Sequence, residues 1–426
     1  MAYLPFEVII DILARLPVKH LLRLRSVCKP WRSLIDSLDF IHLHIGKSIA
    51  AKSNLRLLLR LDSRLFSVGG DDDDFFALND AVELPHPLMC YSNEIKILGY
   101  CNGLLCIANV AEDIAFWNPS TKTHRLLPFL PLDRTRDLRM SSRFYRVFGF
   151  GYDAVNEDYK LVRISQFIGL DYRSFESEVK IYSLRTNEWK SMEDMPYALW
   201  YTDKMGVHVN GFLHWVVIRK IELDETGLIV ALDVVGESYR EIPLPECMNN
   251  EYQIELGVLG GCVCVLASYK EGGFDVWAMR EYGVKESWTK LLKLGHSVLG
   301  VRPLTYSKNG GDILFEEGYR KLFWYDLNSQ RVKDVKIRGA PEVFEAFVCV
   351  CSLAPVTARR RRSGGRNHES GEDNNKMSKS VSLLSDLLTY SGSSVSSGLK
   401  LKGHEVFVDV SRENWKHLLV RTGSIF

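Results

Sequence analysis

The 426-residue chain carries 54 basic and 53 acidic residues, a net charge of +1, and that balance calls for no polyanionic partner of the whole molecule. A hydrophobic fraction of 46% and a charged fraction of 25% are those of an ordinary soluble globular protein. No stretch reaches the ~20 uncharged apolar residues that span a bilayer, and nine cysteines without framework spacing fit a reducing compartment. The start MAYLPFEVIIDIL lacks the basic region of a signal peptide. The expected location is therefore the cytoplasm and/or nucleus, with no membrane span.

Residues 4–45 read as helices. Pro5 suits a first helical position, and Val8, Ile9, Ile12, Leu13 and Leu16 recur at helical spacing. Pro17 ends that helix, because proline disfavours helical geometry in the residue before it. A second helix is expected from Val18 to Val27, and a third after Pro30 through Trp31, Leu34 and Ile35. Three helices in about 45 residues lie near the lower limit for a domain stable alone. The apolar residues of the first, Val8, Ile9, Ile10, Ile12, Leu13 and Leu16, cover more than one stripe of about 100°. One face serves the helices' own core, and the rest must meet other parts of the chain or a partner protein. The basic residues Lys19, His20, Arg23, Arg25, Lys29 and Arg32 are spread around the helices, which argues against a nucleic-acid stripe.

From Leu55 to Pro355 the pattern changes to short strands rich in β-branched and aromatic residues, such as LRLLLRL (55–61), VKIYSL (179–184) and FVCVCSL (347–353). The region repeats. AFWNPSTKTHRLLP, KIYSLRTNEWKSM, VALDVVGESYREIP, DVWAMREYGVKESWTKL and LFWYDLNSQRVKDV share one plan: an apolar strand, a polar turn, and a strand opening on a large residue. Their anchors Trp117, Tyr182, Leu232, Trp277 and Tyr325 lie 65, 50, 45 and 48 residues apart, and propeller blades recur every ~40–50 residues. The wide first gap implies a loop insertion within Asp133–Arg143. A sixth unit comes from residues 55–87, closed by the strand at 344–353, which protects the sheet edges of an open array. The fold class is thus mainly β: a small three-helix domain, then a six-bladed β-propeller. A pair of β-sandwiches is the rival. From Val356 to residue 402 the composition collapses into ARRRRSGGRNHESGEDNNKMSKS and SGSSVSSGLKLKG, a flexible tail. Residues 403–426 contain a strand and a short helix of unassigned role.

Residues 4–45 resemble an F-box. The opening Leu4-Pro5, the mid-motif Leu16-Pro17, the Val27-x-Lys29-x-Trp31 signature and Phe40-Ile41 stand where that motif has them. GYCNGLLCI (99–107), FWNPSTKTHRLLP (116–128), FGFGYDAVNEDYKLVRI (148–164), VKIYSLRTNEWKSM (179–192) and GVHVNGFLHWVV (206–217) resemble, in order, the F-box-associated interaction domain of the plant F-box/kelch-type family. The resemblance implies an F-box at 1–45, a linker at 46–54 and a kelch-like propeller at 55–355. It also implies a role as substrate receptor of a Skp–cullin–F-box ubiquitin ligase, with no catalytic residue, cofactor or metal of its own. The implied partners are a Skp-type adaptor, through it cullin and a RING subunit, and an unidentified target protein, with no nucleic acid. The motif places adaptor contact on Leu4, Pro5, Leu16, Pro17, Val27, Lys29 and Trp31, with Val27 or Trp31 alternatively internal core. An F-box scaffold without ligase role and a propeller-fold enzyme are the alternative functions.

Target contact is expected on one propeller rim. The loops at 133–143, 165–177 and 194–205 read as long, with Arg134, Arg136, Tyr172, Arg173, Tyr197, Trp200 and Tyr201 as candidate contacts. The other chemistry-bearing residues have plainer readings. In FGFGYD, Gly149 and Gly151 alternate with Phe148, Phe150 and Tyr152, so one strand face is glycine, as close backbone approach at a propeller axis requires; the stretch lacks the third glycine and following helix of a phosphate loop. Cys262, Cys264, Cys349, Cys351, Cys101 and Cys106 read as core fillers. His214 reads as a hydrogen-bonded structural histidine. Asp71–Asp74 lacks calcium-loop spacing and reads as a solvated loop. Arg359–Arg362 is either a nuclear import signal or a solubilising run.

Overall fold

A computed structural model describes residues 5–69, 78, 80–89, 94–130, 142–169, 174–219, 227–245, 248, 252–269, 273–295 and 300–357, and the strands at 397–401, 404–410 and 418–423. The chain divides into two compact units, one of which is Ala51–Arg359.

The N-terminal part has four helices rather than three: α1 (Phe6–Leu13), α2 (Val18–Leu24), α3 (Lys29–Ile35) and α4 (Leu38–Ala50). The fourth buries Phe40, Ile41, His44, Ile45 and Ser48, a stripe at helical spacing that His44, Gly46 and Ser48 disguise in the sequence. Its start is marked by Ser37, whose hydroxyl accepts the amide hydrogen of Phe40 at 3.3 Å, an N-cap arrangement. Pro5 and Pro17 each stand one position before their helix, as the cap residue. There their missing N–H costs nothing and their carbonyls accept the first bonds, Ile9 N–H to Pro5 and Leu21 N–H to Pro17.

Among the described residues, Ala51–Arg359 forms six antiparallel sheets. Blade 1 is β1 (Leu55–Leu61), β2 (Arg64–Val68) and β3 (Ala81–Leu84), with β25 (Glu345–Val350) added inside β1. Blade 2 is β4 (Ile95–Cys101), β5 (Leu104–Asn109), β6 (Ile114–Asn118) and β7 (Thr123–Leu126). Blade 3 is β8 (Ser142–Asp153), β9 (Asp158–Gly169), β10 (Phe175–Ser183) and β11 (Glu188–Ser191). Blade 4 is β12 (Ala198–Leu199), β13 (Val207–Val209), β14 (Phe212–Ile218), β15 (Leu228–Asp233) and β16 (Tyr239–Ile242). Blade 5 runs β17 (Tyr252–Leu259), β18 (Cys262–Tyr269), β19 (Phe274–Met279) and β20 (Trp288–Leu294). Blade 6 runs β21 (Val301–Tyr306), β22 (Asp312–Glu317), β23 (Lys321–Asp326) and β24 (Val332–Val335). The five anchors Trp117, Tyr182, Leu232, Trp277 and Tyr325 all fall on the third strand of blades 2–6.

Each neighbouring pair of blades shares one apolar cluster. Side-chain alternation along a strand therefore feeds two clusters at once: Leu57 and Leu59 face blade 6 while Leu58 faces blade 2. This is why Leu57–Leu59 of β1 and Leu104–Ala108 of β5 read as unbroken apolar runs rather than alternating ones. Closure is completed beyond β25. Asn118 donates to the carbonyls of Ser352 and Ala354 at 3.1 and 2.9 Å, and Ser352 donates to the carbonyl of Asn102 at 2.6 Å. Val356, which composition assigns to the tail, is only 3% exposed and packs into the blade 2–3 cluster.

The large residue that opens each fourth strand now has a role. The Trp189 indole donates to the Pro128 carbonyl at 3.0 Å, the Tyr239 hydroxyl to that of Glu193 at 3.3 Å, and the Trp288 indole to that of Pro243 at 2.8 Å. In blades 3, 4 and 5 an outer-strand aromatic thus latches onto the exit segment of the preceding blade. The wide gap before Tyr182 has a described source in the two 12-residue strands of blade 3; most of Asp133–Arg143 lies outside the described residues. A further three-stranded sheet joins β26 (Ser397–Leu401), β27 (His404–Val410) and β28 (Leu418–Gly423); β27 supplies the strand expected in residues 403–426, while β26 and β28 stand where flexible tail and a short helix were expected. The β-branched and aromatic residues of VFVDV carry the strand signal.

Candidate functional site

Two surfaces carry the expected contacts. On the helices, Pro5 and Lys29 are exposed, Leu16, Pro17 and Val27 are partly exposed, and Leu4 lies outside the described residues. Trp31 is 6% exposed, which favours the internal-core alternative for its ring. Sequence reasoning missed His44. Its Nε2 donates to the Leu16 carbonyl at 2.9 Å, tying α4 to the Leu16-Pro17 turn, and burial holds its pKa below the ordinary value. Asp11 ion-pairs with both Arg15 and Lys47 of α4, and these hydrogen bonds lower its carboxyl to about 2.

On the propeller, antiparallel topology sorts the loops. Connections leaving each fourth strand and those joining second to third strands emerge on one rim; the tight turns into the fourth strands emerge on the other. The strand ends that flank all three target loops of the sequence reading open on the first rim. The 165–177 loop is shorter than expected, because 165–169 and 175–177 are strand. Arg134, Arg136, Tyr172 and Arg173 lie outside the described residues, as do Asp71–Asp74 and Arg359–Arg362. Tyr197 and Tyr201 are partly committed to the fold: their hydroxyls donate to the Glu241 carboxylate at 3.1 Å and the Ile254 carbonyl at 2.9 Å. Trp200 lies edge-on to Tyr201 and is exposed.

Around the axis lies a cavity of about 400 Å³ whose wall takes residues from every blade, among them Tyr100, Tyr201, Arg302 and Phe347. Several of its charges are paired. Arg302 reaches Glu316 at 2.6 Å and also donates to the Ala346 carbonyl; Arg60 reaches Glu345 at 2.9 Å and Lys204 reaches Glu255 at 3.5 Å. Burial pushes the Glu316 carboxyl up, against the pull of Arg302. Among the described residues, Glu316 Oε1 and the Trp215 indole N–H, both buried, have no hydrogen-bond partner, so the wall keeps one free acceptor and one free donor.

The glycines of FGFGYD make that wall possible. A Cβ on Gly149 or Gly206 would come within 2.6 Å of the Trp215 ring, and one on Gly151 within 2.6 Å of the His208 ring. Gly149 and Gly206 pair as backbones, with Gly206 N–H donating to the Phe148 carbonyl at 2.7 Å. Close backbone approach is as expected; the ring lying over the pair was not foreseen. In the same stretch the buried Lys160 bridges Asp153 at 2.9 Å and the Val234 carbonyl at 2.5 Å, joining blades 3 and 4. His214 is held at both ring nitrogens. A carbonyl can only accept, so Nδ1 donates to Val207 at 3.0 Å and Nε2 accepts from the Tyr282 hydroxyl at 2.7 Å. Burial lowers its pKa to about 4, and that of His208 likewise. His214 is the structural histidine its sequence context suggests. Cys101, Cys264 and Cys349 are buried, with thiols pushed up to about 12, the state of core fillers. No cluster of three or more His, Cys, Asp or Glu side chains able to hold a metal occurs among the described residues, and no described helix is long and apolar enough to cross a membrane.

Residues 2–43 match the F-box domain family, and residues 57–351 match the F-box associated beta propeller domain family. The chain is a member of the F-box protein family. Among its relatives, F-box protein CPR1 of Arabidopsis thaliana is 36% identical over 376 residues, covering 83% of this chain and 89% of that one. The F-box/kelch-repeat protein At3g23880 of the same plant is 29% identical, covering 71% and 83%. A crystal structure of an oligogalacturonate lyase from Vibrio parahaemolyticus aligns at a TM-score of 0.36 and 7% identity, covering 66% of this F-box protein and 78% of the lyase. A likeness that weak carries no argument.

Proposed function

We propose that this F-box protein is the substrate receptor of a Skp–cullin–F-box ubiquitin ligase of the cytoplasm or nucleus. The helices dock on a Skp-type adaptor through Leu4, Pro5, Leu16, Pro17, Val27 and Lys29, and the propeller holds a target protein at the rim shared by the three loops. The observation that carries this reading is the pairing, in one chain, of an F-box domain with an F-box associated propeller. The receptor needs no catalytic group of its own, because the conjugating enzyme brought in through cullin and the RING subunit supplies the thioester. Holding a target lysine beside that thioester raises the effective concentration of the reacting groups, worth several kcal/mol when the geometry is right.

Adaptor affinity of the purified full-length protein tests the docking. Leu16→Asp puts a charge into the apolar face and is expected to cost about 2 kcal/mol, some thirtyfold in Kd. Lys29→Glu, at an exposed position that leaves folding untouched, is expected to weaken binding several-fold. Adaptor affinity unchanged in both variants would overturn the reading. A scaffold without ligase role would bind the adaptor equally well, so protein half-lives are compared in cells carrying wild type or Leu16→Asp. A receptor leaves at least one bound protein longer-lived with the variant; a scaffold leaves none.

A further inference from the structure

The same rim bears a second cavity, of about 370 Å³, between blades 2 and 3. Its walls are apolar, with Leu127, Pro128, Phe129, Phe144 and Phe148 among the lining residues. Phe129 is 72% exposed, an unusual place for a large ring, whereas its neighbour Leu127 packs into the blade 2–3 core. The floor is charged. Arg146 of β8 ion-pairs with Glu112, in the turn between β5 and β6. Arg163 of β9 pairs with Glu178 of β10 at 3.0 Å and donates to the Leu130 carbonyl at 2.7 Å, and Lys96 of β4 completes the lining. Three cations thus meet two carboxylates. Burial and the nearby Arg146 charge both push the Arg163 guanidinium below its ordinary value. An additional anion would balance the excess.

Glu112 differs from Arg146, Arg163 and Glu178. It is half exposed at the edge of the cleft, while the Arg146 side chain it pairs with is largely buried and keeps an Nε–H with no acceptor among the described residues. The turn that presents Glu112 is rigid. The Asn109 side chain donates to the Asp113 carboxylate at 3.0 Å and accepts the Asp113 N–H at 2.9 Å. An exposed acid on a fixed turn, covering a buried arginine beside an aromatic cleft, occupies the position that a partner's acid would take.

We propose that this cleft receives an extended segment of the target protein in which an Asp or Glu adjoins a large apolar residue. The target carboxylate replaces Glu112 on Arg146 and takes the free Nε–H, and the apolar side chain enters between Phe129 and Phe144. Glu112 is the protein's own stand-in for that acid. The proposal rests on the receptor reading and adds the chemistry of what is received.

The test uses the full-length protein on an array of immobilised peptides carrying Phe-Asp or Phe-Glu, their amide counterparts Phe-Asn and Phe-Gln, and Phe-phosphoserine. Retention on the acidic peptides is expected to exceed that on the amides about tenfold, as one charge-assisted bond allows, and to fall as salt rises. Arg146→Met should abolish the preference. Phe129→Ser, at an exposed position, should weaken acidic and amide peptides alike, and Glu112→Gln should strengthen the acidic ones several-fold by removing the competitor. The proposal is overturned by equal retention of acid and amide on the wild type, by retention of the phosphopeptide alone, or by unchanged binding in both Phe129→Ser and Glu112→Gln, which decide the matter if Arg146→Met does not fold. Adaptor affinity of the same preparations separates the two readings. If it persists while the acid preference fails, the receptor stands and the cleft does not.

Discussion

In the propeller a strand such as β1 spends its side chains in both directions, Leu57 and Leu59 toward one blade and Leu58 toward the other, and all three are fully buried. In the helices, Phe6, Ile10, Ile12, Leu16 and Leu22 are left partly exposed, and Val8 and Leu43 more so. A closed ring covers both faces of its inner strands with neighbouring blades. A four-helix unit of about fifty residues keeps apolar surface in reserve, and surface of that kind marks an interaction site. On the proposed function the two parts do different work: the ring selects at its rim, and the helices are covered by the adaptor.

The strongest way to break the contrast is to open the ring. A chain ending at Val343 loses β25 and with it Phe344, Ala346, Phe347, Val348 and Cys349, which fill two inter-blade clusters. At about 1.5–3 kcal/mol for each large apolar side chain the loss is on the order of 10 kcal/mol, comparable to the whole stability of a domain. It also bares the edge of β1. Thermal unfolding followed by circular dichroism should lose its cooperative transition, and the protein should aggregate. A cooperative transition retained near the wild-type midpoint would show that the ring does not depend on this strand.

The latches should give a far smaller effect. Trp288→Phe removes the donor to the Pro243 carbonyl but keeps most of the ring, for about 1 kcal/mol, roughly 2 °C in Tm. Trp189→Phe acts on a separate blade junction, so the double variant should show the sum within a few tenths of a kcal/mol. Single and double variants that all melt at the wild-type midpoint would mean that the aromatic packing, not the hydrogen bond, holds the blades.

The smallest effects sharpen the helical side of the comparison. Burial lowers the folded-state pKa of His44, so at a given pH the unfolded chain binds more protons. The stability this neutral ring supports is full above the ordinary histidine value of about 6.5 and declines as pH falls below it. Hydrogen-exchange protection of residues 16–21, corrected for intrinsic rates, should drop between pH 7 and 5, and His44→Leu should flatten that profile. Asp11 has a depressed carboxyl, so its contribution is present above the ordinary carboxylate range and disappears as pH falls toward about 2. Being well exposed, it should register only as a slight loss of α1 protection in Asp11→Asn, further reduced in salt.

Legibility divides along a physical line. The blade anchors were readable because each strand–turn–strand unit is local, and the turn residues repeat within a few positions of Trp117, Tyr182 and Tyr325. The F-box turns were readable because Leu16-Pro17 and Val27-x-Lys29-x-Trp31 are short and specific. The latches were not, since Trp189 finds Pro128 61 residues away and nothing in either segment names the other. Helix α4 was obscured by the polar His44 and Ser48 that it buries, and His44 becomes intelligible only once Leu16 lies beneath it. The charges of the cleft, Lys96, Arg146, Arg163, Glu178 and Glu112, come from four strands and a turn, so its charge excess exists only in the folded ring.

The pairing of β25 with β1 also sets an order of events during synthesis. Residues 5–50 leave the ribosome early, whereas blade 1 waits for Glu345–Val350 before its inner position is filled. A message cut short anywhere in the roughly 300 codons between them yields finished helices attached to an open ring. On the proposed docking, such a fragment occupies the adaptor while presenting nothing to the ligase, so early stop mutations should behave as dominant competitors rather than simple losses.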